Sequence, residues 1–397
     1  MLAGKRIVLG VSGSIAAFKV AGWVSALAKE EALVTVLMTE SACQFVTPLT
    51  MAALSGAPVH SDLFAEGSGG QISHIQLAQE ADLFLIAPAT AQTIARLAHG
   101  MADDLLSATV LATRARILVC PAMNSQMFTH PATQENIAKL KDYGYQVIEP
   151  DSGRMACGDE GPGRLPEWDV VREALLCNLA EQDLAGQRVL ITAGPTREPL
   201  DPVRFLSNPS SGKMGYQLAR TARRRGAEVI LVSGPVSLAP PPGVQLVPVQ
   251  TAQEMHAAVM VEAPAVSIIV KAAAVSDFRP EQVFTEKVKK EAADSVLRLE
   301  RTPDILEELG RMKAEQGWLL VGFAAESGNL LEEGRRKLMR KNLDLIAVNN
   351  ILAPDAGFEV ETNQLLLLDT EGAVELPLVS KEQAADLLWD RVVQMLP

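Results

Sequence analysis

The chain has 397 residues, of which 48% are apolar and 21% charged, with a net charge of −12. That length exceeds one ordinary core and implies two domains, while the acidic balance excludes a general nucleic-acid or membrane-surface binder; local basic clusters can still grip a phosphorylated ligand. No run of about 18 apolar residues offers a membrane span, no signal-peptide pattern precedes the first strand, and the four cysteines form no C-x-x-C pair, so neither a disulfide framework nor a zinc site is expected and the reducing cytoplasm is the expected location.

Taken from the N-terminus, RIVLGV, LVTVLMT, DLFLIAPAT, RILVCPAMN and YQVIEP are apolar at nearly every position and alternate with helical patterns. Runs of that kind suit strands covered on both faces, hence a parallel sheet. The segment RMACGDEGPGR, Arg154 to Arg164, reads as a loop too glycine-rich for helix or strand, and it carries the lone Cys157. An echo follows. LAGKRIVLGVSGSIA opens the chain and LAGQRVLITAGPTRE starts at Leu184, each a Gly turn, a strand and a Gly-containing loop, the way doubly wound α/β domains begin. The expected domains are therefore 1–183 and 184–397. The second repeats the scheme with RVLITAG, EVILVSG, QLVPV, SIIVKAAAV, WLLVGFAAE and DLIAVNN, and ends in an antiparallel hairpin, NQLLLLD with AVELPLV, and an amphipathic helix, KEQAADLLWDRVVQML. The expected fold is α/β: two doubly wound, three-layer domains with their chemistry on loops at the strand ends.

Neither Gly loop is the G-x-G-x-x-G dinucleotide fingerprint, so a standard NAD site is not expected. Ser12, Gly13 and Ser14 precede a helix, SIAAFKVAGWVSALAK; they read either as a single-phosphate site at its N-terminus or as plain capping by Ser12 or Ser14. The small-residue turn Ala87 to Thr90 lets a flat ring approach the backbone. Asn124 presents an amide at a strand end beside Met123 and Met127; a core reading suits the methionines but not the amide, which needs partners if buried. His74, flanked by Ile72 and Ile75, reads as structural or catalytic. In the second half, NPSSGKMG fails the P-loop pattern, with Ser207 where Gly and Met214 where Ser or Thr would stand, yet remains a polar loop entering a helix and a candidate anion site. Of three basic clusters, the arginines at 223–225 read as a solvated helix face. KVKK at 287–290 and RRKLMRK at 335–341 suit a nucleoside triphosphate and a phosphorylated acid.

Together GVSGSIAAFK, SHIQLAQEAD, APATAQTIARLAHGMADDLL, PAMNSQM and ACGDEGPGR resemble the flavin-dependent decarboxylases acting on phosphopantothenoylcysteine, a flavodoxin-like flavoprotein domain. TAGPTREPLDPVRFLSNPSSGKMG, KAAAVSDFRP, EKVKK, GFAAE and RRKLMRKNLDLIAVNN resemble the phosphopantothenate–cysteine ligase, a Rossmann-like nucleotide-binding domain, fused behind it in a bifunctional family of coenzyme A biosynthesis. The resemblance runs in order along essentially the whole chain.

That resemblance implies FMN held by Ser12, Gly13, Ser14, Thr39 and Ala87, Pro88, Ala89 and Thr90, with the helix N-terminus taking its phosphate. It places His74 beside the substrate, Asn124 on the substrate carboxylate, and Cys157 on a mobile flap as proton donor to the enethiol intermediate. For the ligase it implies 4′-phosphopantothenate, L-cysteine and CTP as substrates, joined through an acyl-cytidylate, with Mg²⁺ accompanying the triphosphate and no metal-ligand motif in the chain. Asn208 then stabilises the acyl-cytidylate, Lys287 is essential for forming it, Asp277 and Phe323 recognise the nucleotide, and Lys337 and Lys341 meet the triphosphate. Pro209, Ser276 and the Asn349–Asn350 pair depart from the commoner family pattern. The family's flavin trimers and ligase dimers, combined in one chain, imply a homo-oligomer closed as a dodecamer. Two alternatives stand beside this reading: a flavin-dependent reductase with a fused nucleotide-binding domain, which needs a nicotinamide site, and a regulatory flavin-binding protein, which needs no competent residues at 74, 157 and 287.

Overall fold

Why the strands are apolar at every position is visible in what covers them. The computed structural model describes residues 2–64, 73–155, 158–289, 296–350, 357 and 360–396; Cys157 lies outside them. The chain divides into two compact units, Met1–Ala180 and Glu181–Pro397. In the first, β1 (Arg6–Val11), β2 (Leu33–Met38), β3 (Val59–His60), β4 (Leu83–Ala89), β5 (Arg116–Pro121) and β6 (Gln146–Val147) form one sheet in the order 3-2-1-4-5-6, parallel throughout. Side chains alternate across a strand, so Ile7, Leu9 and Val11 enter one core with Val20, Val24 and Leu27 of helix Ala17–Lys29. Val8 enters another, on the opposite face, with Ile94 of helix Ala91–Ala98 and Leu140 of helix Pro131–Asp142.

The segment expected to be a loop is a hairpin: β7 (Asp151–Arg154) pairs antiparallel with β8 (Glu160–Arg164). The correction has a steric cause. Gly163 takes φ +130, and a Cβ there would stand 2.4 Å from the Met123 carbonyl oxygen, while the Gly163 carbonyl accepts the Met123 N–H at 2.9 Å. Glycine here permits close strand-like contact rather than disorder.

In the second unit β9 (Arg188–Ala193) is followed by a hairpin, β10 (Arg197–Pro199) and β11 (Phe205–Ser207), then by β12 (Glu228–Ser233), β13 (Gln245–Pro248) and β14 (Ile268–Lys271). A second hairpin, β15 (Phe278–Pro280) and β16 (Leu299–Arg301), precedes β17 (Leu319–Glu326) and β18 (Leu345–Asn350); β19 (Thr362–Asn363), β20 (Leu365–Asp369), β21 (Ala373–Glu375) and β22 (Val379–Ser380) complete the set. The main sheet runs 13-12-9-14-17-18-20-21, so its first six strands repeat the topology of the first unit. The expected antiparallel ending is there, β20 pairing with β18 and with β21. Helix Lys381–Gln394 follows, opened by a Ser380–Gln383 capping box.

The arginines at 223–225 are not a solvated face. Arg223 is exposed, but Arg224 is only 5% and Arg225 8% exposed. Arg225 grips the Asp183 carboxylate with Nε at 2.8 Å and Nη2 at 2.5 Å and reaches Asp390 with Nη1 at 2.7 Å, while Arg224 binds Glu382 at 2.6 Å. Burial of these two charges is compensated by bidentate and neighbouring carboxylates, and the cluster secures the C-terminal helix. Among the described residues no helix is long and apolar enough to cross a membrane.

Candidate active sites

In a doubly wound sheet the strand order reverses at one point, and the loops leaving the carboxyl ends on either side splay apart there. In the first unit that point lies between β1 and β4. Ser12, 1% exposed, stands at the end of β1. Its hydroxyl donates to the Pro88 carbonyl at 2.6 Å and accepts the Thr90 N–H at 3.0 Å, clasping the two strand ends together. It therefore does not cap the helix. The helix Ala17–Lys29 has Ala16 at its N-cap and no side-chain cap; the Ser14 hydroxyl accepts the Ala16 N–H at 3.3 Å in the turn before it. Gly13 is required by proximity, since a Cβ would stand 2.4 Å from that of Ser41.

Thr39 caps the short turn after β2, its hydroxyl accepting the Ala42 N–H at 3.2 Å, and Thr90 caps helix Ala91–Ala98 by accepting the Thr93 N–H at 3.3 Å. The Ala87–Pro88 peptide is cis.

A cleft of about 530 Å³ opens at this end of the sheet, lined by Ser14, Ile15, Phe18, Asn124, Met155 and Arg164 among others. Asn124 is the N-cap of helix Ser125–Thr129, its Oδ1 accepting the Gln126 N–H at 2.8 Å, and its Nδ2 donates to the Asp159 carboxylate at 2.8 Å. The strand-end amide and the β7–β8 hairpin are thus joined directly. His74, half-buried on helix Ser73–Glu80, does not line this cleft; its Nδ1 is buried without a hydrogen-bond partner among the described residues.

In the second unit the reversal falls between β9 and β14, and two clefts adjoin there. One, of about 420 Å³, is lined by Asn208, Asp277, Phe323 and Lys337; the other, of about 490 Å³, shares Asp277 and Phe323 and adds Lys341. Asn208 is held by its Nδ2, which donates to the Ala274 and Val275 carbonyls at 3.2 and 3.1 Å. Lys337 pairs with Glu326, and Lys341 binds both oxygens of Asp304 at 2.9 and 2.8 Å. Pro209 and Asn349 line the first cleft, and the Ser276 hydroxyl donates to the Phe278 carbonyl at 2.8 Å.

Lys287 lines neither cleft and is exposed. The residue after it is clamped from both sides: Asp201 accepts the Val288 N–H at 3.3 Å and Arg204 donates to the Val288 carbonyl at 3.2 Å. Asp201 is closed onto Arg204 through Nε at 2.9 Å and Nη2 at 2.6 Å, which holds its carboxyl well below the usual range.

Sequence reasoning missed Lys271. It ends β14 and lines the larger cleft, 7% exposed, with the Met255 sulfur at 3.8 Å from its Nζ. Among the described residues no carboxylate lies within ion-pairing distance of it. Burial pulls its pKa down to about 7, against the opposing pull of the Asp304 charge. A lysine interrupting the apolar run SIIVKAAAV was the available signal.

A doubly wound sheet built twice in one chain, each with a cleft where its strand order reverses, defines an α/β protein with a small-molecule site in each unit. Comparison with known proteins narrows the class. Residues 1–179 match the family model described as Flavoprotein, and residues 184–396 the one described as DNA/pantothenate metabolism flavoprotein C-terminal domain. The coenzyme A biosynthesis bifunctional protein CoaBC of Bacillus subtilis (strain 168) is 48% identical over 386 residues, 96% of this chain and 95% of that one. Its counterpart in Escherichia coli (strain K12) is 47% identical over 396 residues, 99% and 97% of the two chains. A crystal structure of the C-terminal domain of a coenzyme A biosynthesis bifunctional protein CoaBC, 43% identical, covers 54% of this chain and 98% of its own, with a TM-score of 0.47. The chain belongs to the CoaBC family of bifunctional coenzyme A biosynthesis proteins.

Proposed function

We propose that residues 184–397 join L-cysteine to 4′-phosphopantothenate through an acyl-cytidylate made from CTP, and that residues 1–183 decarboxylate the resulting 4′-phosphopantothenoylcysteine to 4′-phosphopantetheine with FMN. The observation that carries the ligase reading is the gathering of Asn208, Asp277, Phe323 and Lys337 around one cleft, from four separate stretches of chain. Asp277 and Phe323 recognise the nucleotide, Lys337 and Lys341 meet its phosphates, and Asn208, its amide held by two carbonyls, stabilises the acyl-cytidylate. Lys287 neutralises charge at the reacting α-phosphate. Among the described residues no cluster of three metal-ligating side chains exists; Mg²⁺ belongs to this reaction as the counter-ion of its triphosphate substrate.

In the first unit the residues suit a flavin. Gly13, which has no room for a Cβ, lets the β1 loop pack against Ser41, and the helix behind Ser14 carries no side-chain cap at its N-terminus. Ser12, Gly13, Ser14, Thr39 and the Ala87–Thr90 turn hold FMN, Ser12 chiefly by keeping the two strand ends in register. When bound, FMN supplies the oxidation that turns the cysteine side chain into a thioaldehyde, a C=S group β to the carboxylate through which carbon dioxide can leave, and the later reduction. Asn124 holds the substrate carboxylate; a carboxylate exchanging with that of Asp159 keeps the same N–H donor engaged. His74 orients or deprotonates the reacting group, and Cys157 protonates the enethiol. Exposed Ile15 and Phe18, 56% and 60% accessible beside the cleft, support a homo-oligomer; its closure as a dodecamer and a cytoplasmic location are what the family resemblance adds to the proposal.

The test is a product assay by mass spectrometry on the purified chain with 4′-phosphopantothenate, L-cysteine, CTP and Mg²⁺. Phosphopantetheine with CMP is expected. A signal that stops at phosphopantothenoylcysteine overturns the decarboxylase reading, and no turnover overturns both.

A pH dependence follows from Lys271. Free, it loses its proton as pH rises through about 7; a phosphate beside it favours the charged form and raises that value. Below pH 7 the charge is already present and CTP affinity is flat. Above it, binding must take up a proton, so affinity falls toward about tenfold per pH unit. Lys271→Met removes this slope relative to wild type, measured by calorimetric titration from pH 6 to 8.5; equal slopes in the two proteins exclude Lys271 from nucleotide binding.

A further inference from the structure

Two side chains in the smaller cleft of the second unit are unexplained by the nucleotide. Asn349 is 8% and Asn363 3% exposed, both line that cleft beside Asn208, and the Oδ1 of each is buried with no hydrogen-bond partner among the described residues. The Asn363 Nδ2 meets the Met214 sulfur at 3.8 Å. Two orphaned amide oxygens, on residues that line one cavity, are costly unless something donates to them. Asn349 of β18 lies opposite Leu365 of β20, and Asn363, in the short β19–β22 ladder, stands two residues before Leu365, so the chain brings the two amides to one cleft.

We propose that Asn349 and Asn363 form the subsite for the amine of the nucleophile, the α-amine of L-cysteine, placing it against the acyl-cytidylate at Asn208. The inference rests on the ligase reading above. A neutral primary amine has two N–H donors and one lone pair; two acceptors occupy both donors and leave the lone pair free. The acceptors are also uncharged. A carboxylate would stabilise the ammonium form and hold the nucleophile inactive, whereas amide oxygens bind the amine without that bias. In the step itself the amine nitrogen forms a C–N bond to the acyl carbon and the C–O bond to the cytidylate phosphate breaks. Its electron pair leaves on CMP, and one amine proton is lost to solvent.

The experiment separates the two half-reactions in the full-length protein. Pyrophosphate–CTP exchange with 4′-phosphopantothenate, in the absence of cysteine, reports acyl-cytidylate formation; steady-state ligation reports use of cysteine. Asn349→Leu and Asn363→Leu are each expected to raise the KM for cysteine about 10- to 100-fold, the loss of a buried hydrogen bond, with exchange within about twofold of wild type. Unchanged cysteine KM overturns the proposal, as does exchange that falls in step with ligation, which is what a merely structural role produces. A second measurement needs no variant. With the wild-type protein, 2-aminoethanethiol, which keeps the amine and lacks the carboxylate, competes with cysteine, and 3-mercaptopropionate, which lacks the amine, does not; the opposite order overturns the subsite. Failure of the ligase reading looks different, since wild type then shows no exchange at all.

Discussion

Replacing Lys287 with glutamine lowers ligation about 1,000-fold while leaving decarboxylation of supplied phosphopantothenoylcysteine at the wild-type rate. The size of the loss is that of removing one group aimed at charge that develops in the transition state. Glutamine, one atom shorter, keeps a hydrogen-bond donor but removes the positive charge, so the loss it causes is chiefly electrostatic. Folding is not at risk, because Lys287 is exposed and its segment is held at the next residue by backbone bonds from Val288 to Asp201 and Arg204. These anchors do not depend on the lysine side chain. Pyrophosphate–CTP exchange should disappear along with ligation, because the role proposed for Lys287 lies in the first half-reaction. Ligation above about one-tenth of wild type removes Lys287 from the chemistry, a loss far below that expected of a transition-state charge. Loss of both activities instead reports a damaged fold.

The position of Lys287 also shows where the sequence stops being informative. The long strands were legible because both faces of each sheet are covered: Ile7, Leu9 and Val11 face one core and Val8 the other, and that arrangement writes itself as an unbroken apolar run. Short elements leave no such record. β10 with β11 and β15 with β16 are three residues each, too few to show a period, yet they carry the chain to Asn208 and away from Asp277. The β7–β8 hairpin was hidden by its glycines, which signal a loop by composition but here allow contact with Met123 and Ser125.

Charge was misread for a related reason. Three consecutive arginines on a helix imply a wet face unless their partners are known, and the partners of Arg225 lie 42 and 165 residues away in sequence. The same limit applies to the clefts. Asn208, Asp277, Phe323 and Lys337 could be named from motif resemblance, but no spacing along the chain states that they share a cavity. Lys271, Asn349 and Asn363 belong to the strands themselves; a reading that assigns strands to the core and loops to chemistry passes over polar residues at strand ends, which is where doubly wound folds place their sites.

Replacing Cys157 with serine stops the pathway one step short of product: ligation and carbon dioxide release continue, and an oxidised enethiol, lighter than phosphopantetheine by two hydrogens, accumulates. The reasoning concerns acidity. A thiol with an ordinary pKa near 8.5 can give up a proton at neutral pH and recover it from solvent, whereas an alkyl hydroxyl is far too weak an acid. Decarboxylation needs no such donor, because the electrons released with carbon dioxide delocalise onto the substrate sulfur. The exchange of one atom also leaves the hairpin's anchors untouched. Among the described residues that flank it in sequence, the Met155 N–H donates to the Asp159 carbonyl at 2.8 Å and the Gly158 N–H to the Met155 carbonyl at 3.0 Å, and Asp159 itself accepts from Asn124. A fault in the hairpin would loosen that grip on Asn124 and slow carbon dioxide release as well. The two measurements together therefore decide the role: carbon dioxide release at the wild-type rate with enethiol accumulation marks Cys157 as the proton donor, parallel loss of both marks it as part of the hairpin's structure, and a normal yield of phosphopantetheine removes it from the reaction.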